Sequence, residues 1–179
     1  MSRVVGGTAG GRRLVVPRGR STRPTSDRMR EGLFSSLGAD LTGRSFLDLY
    51  AGSGAVGLEA ASRGAAPVHL VERDPAAVTA IRTNIAALAL SDVHVHAVSV
   101  SRFLGSDPLP FDVVFLDPPY ADSAADVVER LLAGGWLAAE VIVVAERSSR
   151  DAPFCWPAGI AADRSRRYGE GTLWYGRRP

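Results

Sequence analysis

A carboxylate, two prolines and a phenol, Asp117–Pro118–Pro119–Tyr120, close an apolar run that begins at Phe111. The prolines carry no N–H and stiffen the turn, so acid and phenol stand in fixed relation. Such a corner suits chemistry on the exocyclic amine of a nucleobase, whose lone pair is delocalised into the ring and is a poor nucleophile. Asp117 and the Pro118 carbonyl can accept the hydrogens of that amine and localise its lone pair, while Tyr120 stacks on the base. Catalysis of this kind is positioning and electrostatics, and it requires a base that has left its stack. Asp117 also has a plainer reading, as the cap of a helix that follows. The corner by itself does not decide between the two.

A second constellation lies upstream, in FLDLYAGSGAVGLEAA, residues 46–61. Gly52, Gly54 and Gly57 satisfy G-x-G-x-x-G, and Glu72 follows at the end of the next apolar run, where a carboxylate can accept both hydroxyls of a ribose. A hydride-transferring dinucleotide enzyme shares this pattern, and the glycines alone are weak support for any reading. Asp48 separates the possibilities. A carboxylate just before the loop repels a pyrophosphate and welcomes a cation. S-adenosylmethionine offers an ammonium and a sulfonium and has no phosphate. Asp48 can also serve as a cap for the loop backbone.

The elements that must hold these residues follow from the hydrophobic pattern. Val113, Val114, Phe115 and Leu116 read as a strand buried on both faces, as in a parallel sheet, with Asp117 at its carboxyl end, where ligands bind in open α/β folds. Strands are expected at about 45–50, 68–72, 93–98, 111–116 and 141–146. Helices are expected at 55–63, 75–88 and about 123–132, with a short turn at 103–104. This alternation predicts an α/β fold with a doubly wound, mostly parallel sheet. Residues 161–168 and 172–177, around Gly169–Glu170–Gly171, predict an antiparallel C-terminal hairpin. Upstream, residues 1–40 form an Arg-rich extension ahead of a domain at 41–179. Glycines at 6, 7, 10 and 11 between short β-branched pairs suggest a small hairpin, or a ribbon that orders only on a partner. Thr25 or Ser26 can cap a helix to Leu37 with Met29, Leu33, Phe34 and Leu37 on its inner stripe. Arg23, Arg28 and Arg30 are then expected to face outward.

Charge supports that division. Net charge is only +2, yet residues 1–30 carry eight Arg against Asp27, and residues 164–178 carry five Arg against Glu170. Basic ends on an acidic body suggest a polyanion contacted by the chain termini, with Arg3, Arg12, Arg13, Arg23, Arg28 and Arg30 as the expected contacts. The single Cys155 excludes an intrachain disulfide and a cysteine-based zinc cluster. His69, His94 and His96 alternate with apolar residues as sheet-facing or exposed side chains do, so no metal is expected. No apolar run approaches the roughly 18–20 residues that span a bilayer. The N-terminus lacks a signal-like apolar core, so a cytoplasmic location without membrane contact is expected.

FLDLYAGSG, VERD and LDPPY together resemble the class I S-adenosylmethionine-dependent methyltransferases, with their Rossmann-like sheet, that modify exocyclic amines. RVVGG, GRRL and RPTSDRMREGLF at the N-terminus are similar to one branch, the RsmD family of 16S rRNA guanine-N2 methyltransferases. The resemblance spans residues 3 to about 147. It implies methyl transfer from S-adenosyl-L-methionine to N2 of a guanine in 16S rRNA, within the small ribosomal subunit, by a monomer. It assigns Asp48 and the loop Tyr50, Gly52, Ser53 and Gly54 to the methionine part of the cofactor and Glu72 to its ribose. Ser99 stands where the family often has an acid or Asn against the adenine. Asp117, Pro118, Pro119 and Tyr120 would hold the target amine and base. A DNA adenine-N6 methyltransferase shares the DPPY corner, but this chain has no spare length for a target-recognition domain. A third reading, an RNA-binding module with a vestigial site, conflicts with intact Asp48, Glu72 and Asp117.

Overall fold

Apolar runs separated by amphipathic stretches of helical length can bury themselves only as a parallel sheet with helices on both faces. The chain does so in the computed structural model, which describes residues 2–17, 26–119 and 121–179. After α1 (Asp27–Leu37) come β1 (Phe46–Leu49), α2 (Ala55–Ser62), β2 (Val68–Val71), α3 (Pro75–Leu88), β3 (Val93–His96) and α4 (Val100–Phe103). Then follow β4 (Phe111–Leu116), α5 (Ala124–Ala133), β5 (Leu137–Ser148), β6 (Ala161–Tyr168) and β7 (Gly171–Arg177).

One seven-stranded sheet has the order β3-β2-β1-β4-β5-β7-β6. Strands β1 to β5 pair in parallel, and β7 pairs antiparallel with both β5 and β6. Alternation along β1 shows why both faces are apolar. Phe46 packs with Leu33 and Phe34 on one side, while Leu47 and Leu49 join Val128 and Leu131 on the other. The strand order reverses between β1 and β4, which leaves a crevice at their carboxyl ends. Ser45 and Asp112 set the register there. The Ser45 N–H and hydroxyl each donate to Asp112 Oδ2 at 2.8 Å, and the Asp112 N–H returns a bond to Ser45 Oγ at 3.0 Å. Phe46 then lies opposite Val113 and Leu49 opposite Leu116.

Two boundaries differ from the sequence-based expectation. β3 stops at His96, because Ser99 caps α4 by accepting the Arg102 N–H at 3.2 Å. β5 starts at Leu137 and runs to Ser148, since β7 pairs with it as far as Ser148↔Gly171. Residues 2–17 are held by the body and need no partner to order. Leu14 N–H donates to Ser2 O at 2.9 Å and Gly11 N–H to Val4 O at 2.8 Å, and Val4, Ala9 and Leu14 are buried in the same cluster as Met29, Phe46 and Val68.

The helix expected at Ser26 is present, with Ser26 Oγ accepting the Met29 N–H at 3.2 Å. Arg30 corrects the expectation of an outward-facing arginine. It is 0% exposed, because positions 30, 33, 34 and 37 also follow helical spacing and place it on the inner stripe. Its guanidinium donates to Asp27 Oδ1 at 2.7 Å, to Ser2 Oγ at 3.1 Å and to the Arg3 carbonyl, and lies 3.9 Å from Glu59. Glu59, buried on α2, accepts the Val5 and Gly6 N–H groups at 2.8 and 2.9 Å and a 2.8 Å contact from Arg63. Arg30 therefore staples the extension to the sheet-facing helix. Arg23 lies outside the described residues.

Candidate active site

The loop between β1 and α2 needs backbone conformations that favour glycine, and Gly52 and Gly54 adopt them at φ 56° and 78°. Gly57 has a different reason. A Cβ there would lie 2.0 Å from Leu70 Cδ2, so only hydrogen lets α2 sit this close to the sheet. That approach brings the Gly57 N–H within 2.8 Å of Asp48 Oδ2. The capping role foreseen for Asp48 is thus present, and Asp48 also lines a cleft of about 1640 Å³ at the carboxyl ends of the strands.

Asp48, Glu72 and Asp117 all line this cleft, together with Tyr50, Gly52, Ser53, Ser99, Pro118 and Pro119. The sheet brings them together from β1, β2 and β4. Leu49 pairs with both Val71 and Leu116, so the residues just beyond these strands emerge side by side. Burial pushes the Asp48 carboxyl up to about 8; the Gly57 N–H opposes this, and the Asp117 and Glu72 charges reinforce it. Burial likewise raises Asp117 to about 6, against the pull of the Arg147 guanidinium. Burial and two neighbouring carboxylates thus make ionised Asp48 costly, and a bound cation relieves that cost.

Glu72 uses both oxygens on the backbone. Oε2 accepts the Gly52 N–H and Oε1 the Asp74 N–H, each at 2.8 Å. Each oxygen keeps a second lone pair, so the carboxylate is oriented by the protein and still able to accept hydroxyls. Asp74 in turn caps α3 by accepting the Ala76 and Ala77 N–H groups. Ser99 Oγ accepts within its own helix cap and retains its proton to donate into the cleft. Tyr50 is held in the left-handed region at φ 63°. Its phenol bonds the Asp122 carboxylate, and burial, with that neighbour, pushes its pKa well above the usual range.

Tyr120 lies outside the described residues. Pro118 is buried, Pro119 is exposed, and Asp117 is intermediate. Asp117 does not cap α5; Ser123 does, by accepting the Asp126 N–H at 3.2 Å. The helix-cap reading of Asp117 fails there.

Two residues escaped the sequence reading, Arg147 in the lining and Asn84 behind it. Arg147 ends β5 beside β4, and knowing the strand order would have placed it next to Asp117. Asn84, 1% exposed on α3, clamps the backbone of Val15, accepting its N–H at 2.8 Å and donating to its carbonyl at 3.0 Å. Nothing in the local sequence marks an asparagine that pairs 69 positions away. Among the expected RNA contacts, Arg12 donates to Ala87 O at 2.7 Å and Arg3 lies 3.6 Å from Asp27. Both are exposed, as are Arg13 and Arg28. The histidines form their own group away from these residues, with His96 Nε2 and His69 Nδ1 3.0 Å apart and His69 lowered to about 4, chiefly by burial. Among the described residues no group of His, Cys, Asp or Glu is arranged to hold a metal, and no helix is long and apolar enough to cross a membrane.

Comparison with known proteins places this geometry. The family model described as Conserved hypothetical protein 95 matches residues 2–177. The ribosomal RNA small subunit methyltransferase D of Escherichia coli K12 is 36% identical over 169 residues, 94% of this chain and 85% of that protein. The protein of the same name from Haemophilus influenzae is 33% identical, over 87% of this chain and 82% of its own length. Among solved structures, the Escherichia coli protein yhhF superposes with a TM-score of 0.90 at 32% identity, covering 99% of this chain and 97% of that one. An RNA methyltransferase from Salinibacter ruber, solved with S-adenosyl-L-homocysteine, has a TM-score of 0.66 at 21% identity over 87% of this chain and 94% of its own, a likeness of fold alone.

Proposed function

The chain belongs to the RsmD family of S-adenosylmethionine-dependent methyltransferases, and from that premise we propose that it methylates the exocyclic N2 amine of a guanine in 16S rRNA, within the small ribosomal subunit. The observation that carries this reading is the pairing across β1 and β4. Asp48 and Glu72 stand on one side of the strand reversal and the Asp117–Pro118–Pro119 corner on the other, in one cleft.

The residues present fit S-adenosylmethionine. A buried carboxyl pushed up to about 8 gains most from a cationic neighbour, and the charges of two further carboxylates, Asp117 and Glu72, bear on it. Asp48 and the Tyr50–Gly54 loop would hold the methionine part, Glu72 the ribose, and Ser99 the adenine. The cofactor supplies a methyl carbon activated by its sulfonium. The protein's own contribution is geometric and electrostatic. Asp117, ionised above about pH 6, and the Pro118 carbonyl accept the hydrogens of the guanine amine and turn its lone pair toward the methyl carbon. When bound, the cofactor would supply the methyl group and keep the electron pair of its C–S bond at sulfur, and the surplus proton of the amine would leave to water. Asp117 acts by organising the lone pair.

The test is transfer of a labelled methyl group to small subunits, and to naked rRNA, that lack the modification, followed by nucleoside mapping. Label on N2 of one guanine is expected. Label on another atom or base, or on adenine N6 of DNA in preference to RNA, overturns the proposal.

A further inference from the structure

We infer that the β6–β7 hairpin is a second RNA-binding wall of the cleft, with Arg166 and Arg167 taking backbone phosphates of the strand that delivers the target base. This inference rests on the RNA reading above and extends it to a segment that the N-terminal arginines do not cover.

Topology supplies the first reason. The cofactor side of the strand reversal is occupied by β1 and β2. The acceptor side consists of β4, β5, β7 and β6, in that order. Gly171 pairs with Ser148 at the carboxyl end of β5, so the hairpin tip stands at the same end of the sheet as Asp117, and Tyr168 to Gly171 line the cleft. RNA that presents a base to Asp117 must lie over this half.

The tip is also joined to the N-terminal basic segment. Tyr168 packs so closely on α1 that a Cβ at Gly32 would lie 2.1 Å from its hydroxyl, and a Cβ at Gly171 would lie 2.3 Å from Met29 Cε. The exposed Arg28 belongs to the same first turns of α1. Hairpin tip and α1 thus make one continuous surface.

Charge supplies the third reason. An edge strand carries charges simply to discourage pairing with other chains, but that purpose does not depend on position along the edge. Here the pairing differs along the edge. At the end away from the cleft Arg164 and Arg177 share one carboxylate, Asp163, at 2.8 and 3.0 Å, and Arg178 donates to the Leu137 carbonyl at 3.2 Å. At the cleft end Arg166 and Arg167 are exposed and have no carboxylate at ion-pair distance among the described residues, Arg167 Nε donating only to Gly169 O at 3.2 Å. Successive side chains of a strand point to opposite faces, so Arg166 and Arg167 stand on either side of the hairpin edge, and two exposed guanidiniums there without a carboxylate at ion-pair distance are suited to phosphates.

The test compares R166A/R167A with the wild type in binding and methylation of small-subunit RNA across a salt series. Relative to wild type, the variant should bind RNA roughly tenfold more weakly at physiological salt, and its log–log salt slope should be shallower by about 1.4, as for two phosphate contacts on a single strand. Cofactor affinity, measured by calorimetry, and kcat at saturating RNA should be unchanged, which also shows that the variant folds. R166K/R167K, which keeps the charges, should restore most of the slope, and R177A at the far end should leave it alone. An unchanged slope and RNA affinity in R166A/R167A, with active wild type, overturns this inference and leaves the RNA function standing. Wild-type protein that neither binds nor methylates RNA overturns both, and does so before any variant is made.

Discussion

The two halves of the sheet present different groups to the same cleft. On the β1–β2 side, Asp48 and Glu72 line the wall with Arg73, and burial holds the Asp48 proton to about pH 8. On the β5–β7–β6 side, Arg147 and Arg150 line the wall in ion pairs with Asp151 and Glu170, at 3.2 and 3.3 Å, and the exposed Arg166 and Arg167 flank the hairpin tip. A cationic cofactor is suited to the first wall and a polyanionic acceptor to the free arginines of the second, and the strand reversal keeps the two apart. Asp117 lies at the seam, where burial raises its pKa and Arg147 restrains the rise.

The strongest way to break this comparison is at the seam. Asp117→Ala is expected to lower the methyl-transfer rate by about 10²–10³-fold or more, the scale of losing one preorganised polar group, while calorimetry shows cofactor binding little changed. Wild-type turnover in that variant would remove Asp117 from the chemistry.

Next comes the acidic wall. Asp48→Asn should weaken cofactor binding by about 10–100-fold, as for a lost charge-assisted contact of roughly 1.5–3 kcal/mol, and leave RNA affinity unaltered. The sign of the pH effect sharpens the same point. Free protein at pH 7 holds Asp48 protonated, and a cation favours its ionised form, so binding should release a proton and tighten as pH rises from 6 towards 8. Calorimetry in buffers of different ionisation enthalpy measures that proton, and Asp48→Asn should abolish the release.

The pH dependence of kcat addresses the seam more gently. Asp117 accepts hydrogen bonds on both oxygens only when ionised, so single-turnover rates should climb through about pH 6 and level off above it. A rate already at its plateau at pH 5 would contradict that role.

The smallest effect separates two arginines two residues apart on α1. Arg28→Ala should make the salt slope of RNA binding shallower by about 0.7–0.9, with little change in thermal stability. Arg30→Ala should do the reverse, costing about 3–5 kcal/mol of stability, because it empties a buried site and takes the guanidinium from Asp27, Ser2 and the Arg3 carbonyl. Chemical denaturation and salt titration of the two variants distinguish a staple from a contact.

That pair shows where sequence reading succeeds and where it stops. That Asp48, Glu72 and Asp117 share one cleft was legible because Glu72 and Asp117 follow apolar runs and Asp48 stands within one just before the glycine loop, and in a parallel sheet all such ends open on the same crevice. The hairpin around Gly169–Glu170–Gly171 was legible from its turn residues. Arg30 was misread as outward-facing, since helical spacing admits it to the inner stripe and only Asp27, Ser2 and the distant Glu59 decide that a guanidinium can be buried there. Asn84 gave no local sign, because its partner Val15 belongs to another segment.

By itself the sequence determined the order of strands and helices, the glycine loop and so the class of reaction, all of which are short-range consequences of periodicity and turn chemistry. Tertiary structure decided which charges remain free. Asp163 pairs with Arg164 and Arg177 but reaches neither Arg166 nor Arg167, and Arg147 comes beside Asp117 only because β5 pairs with β4. Charge pairing acts over a few ångströms in space, whatever the distance along the chain.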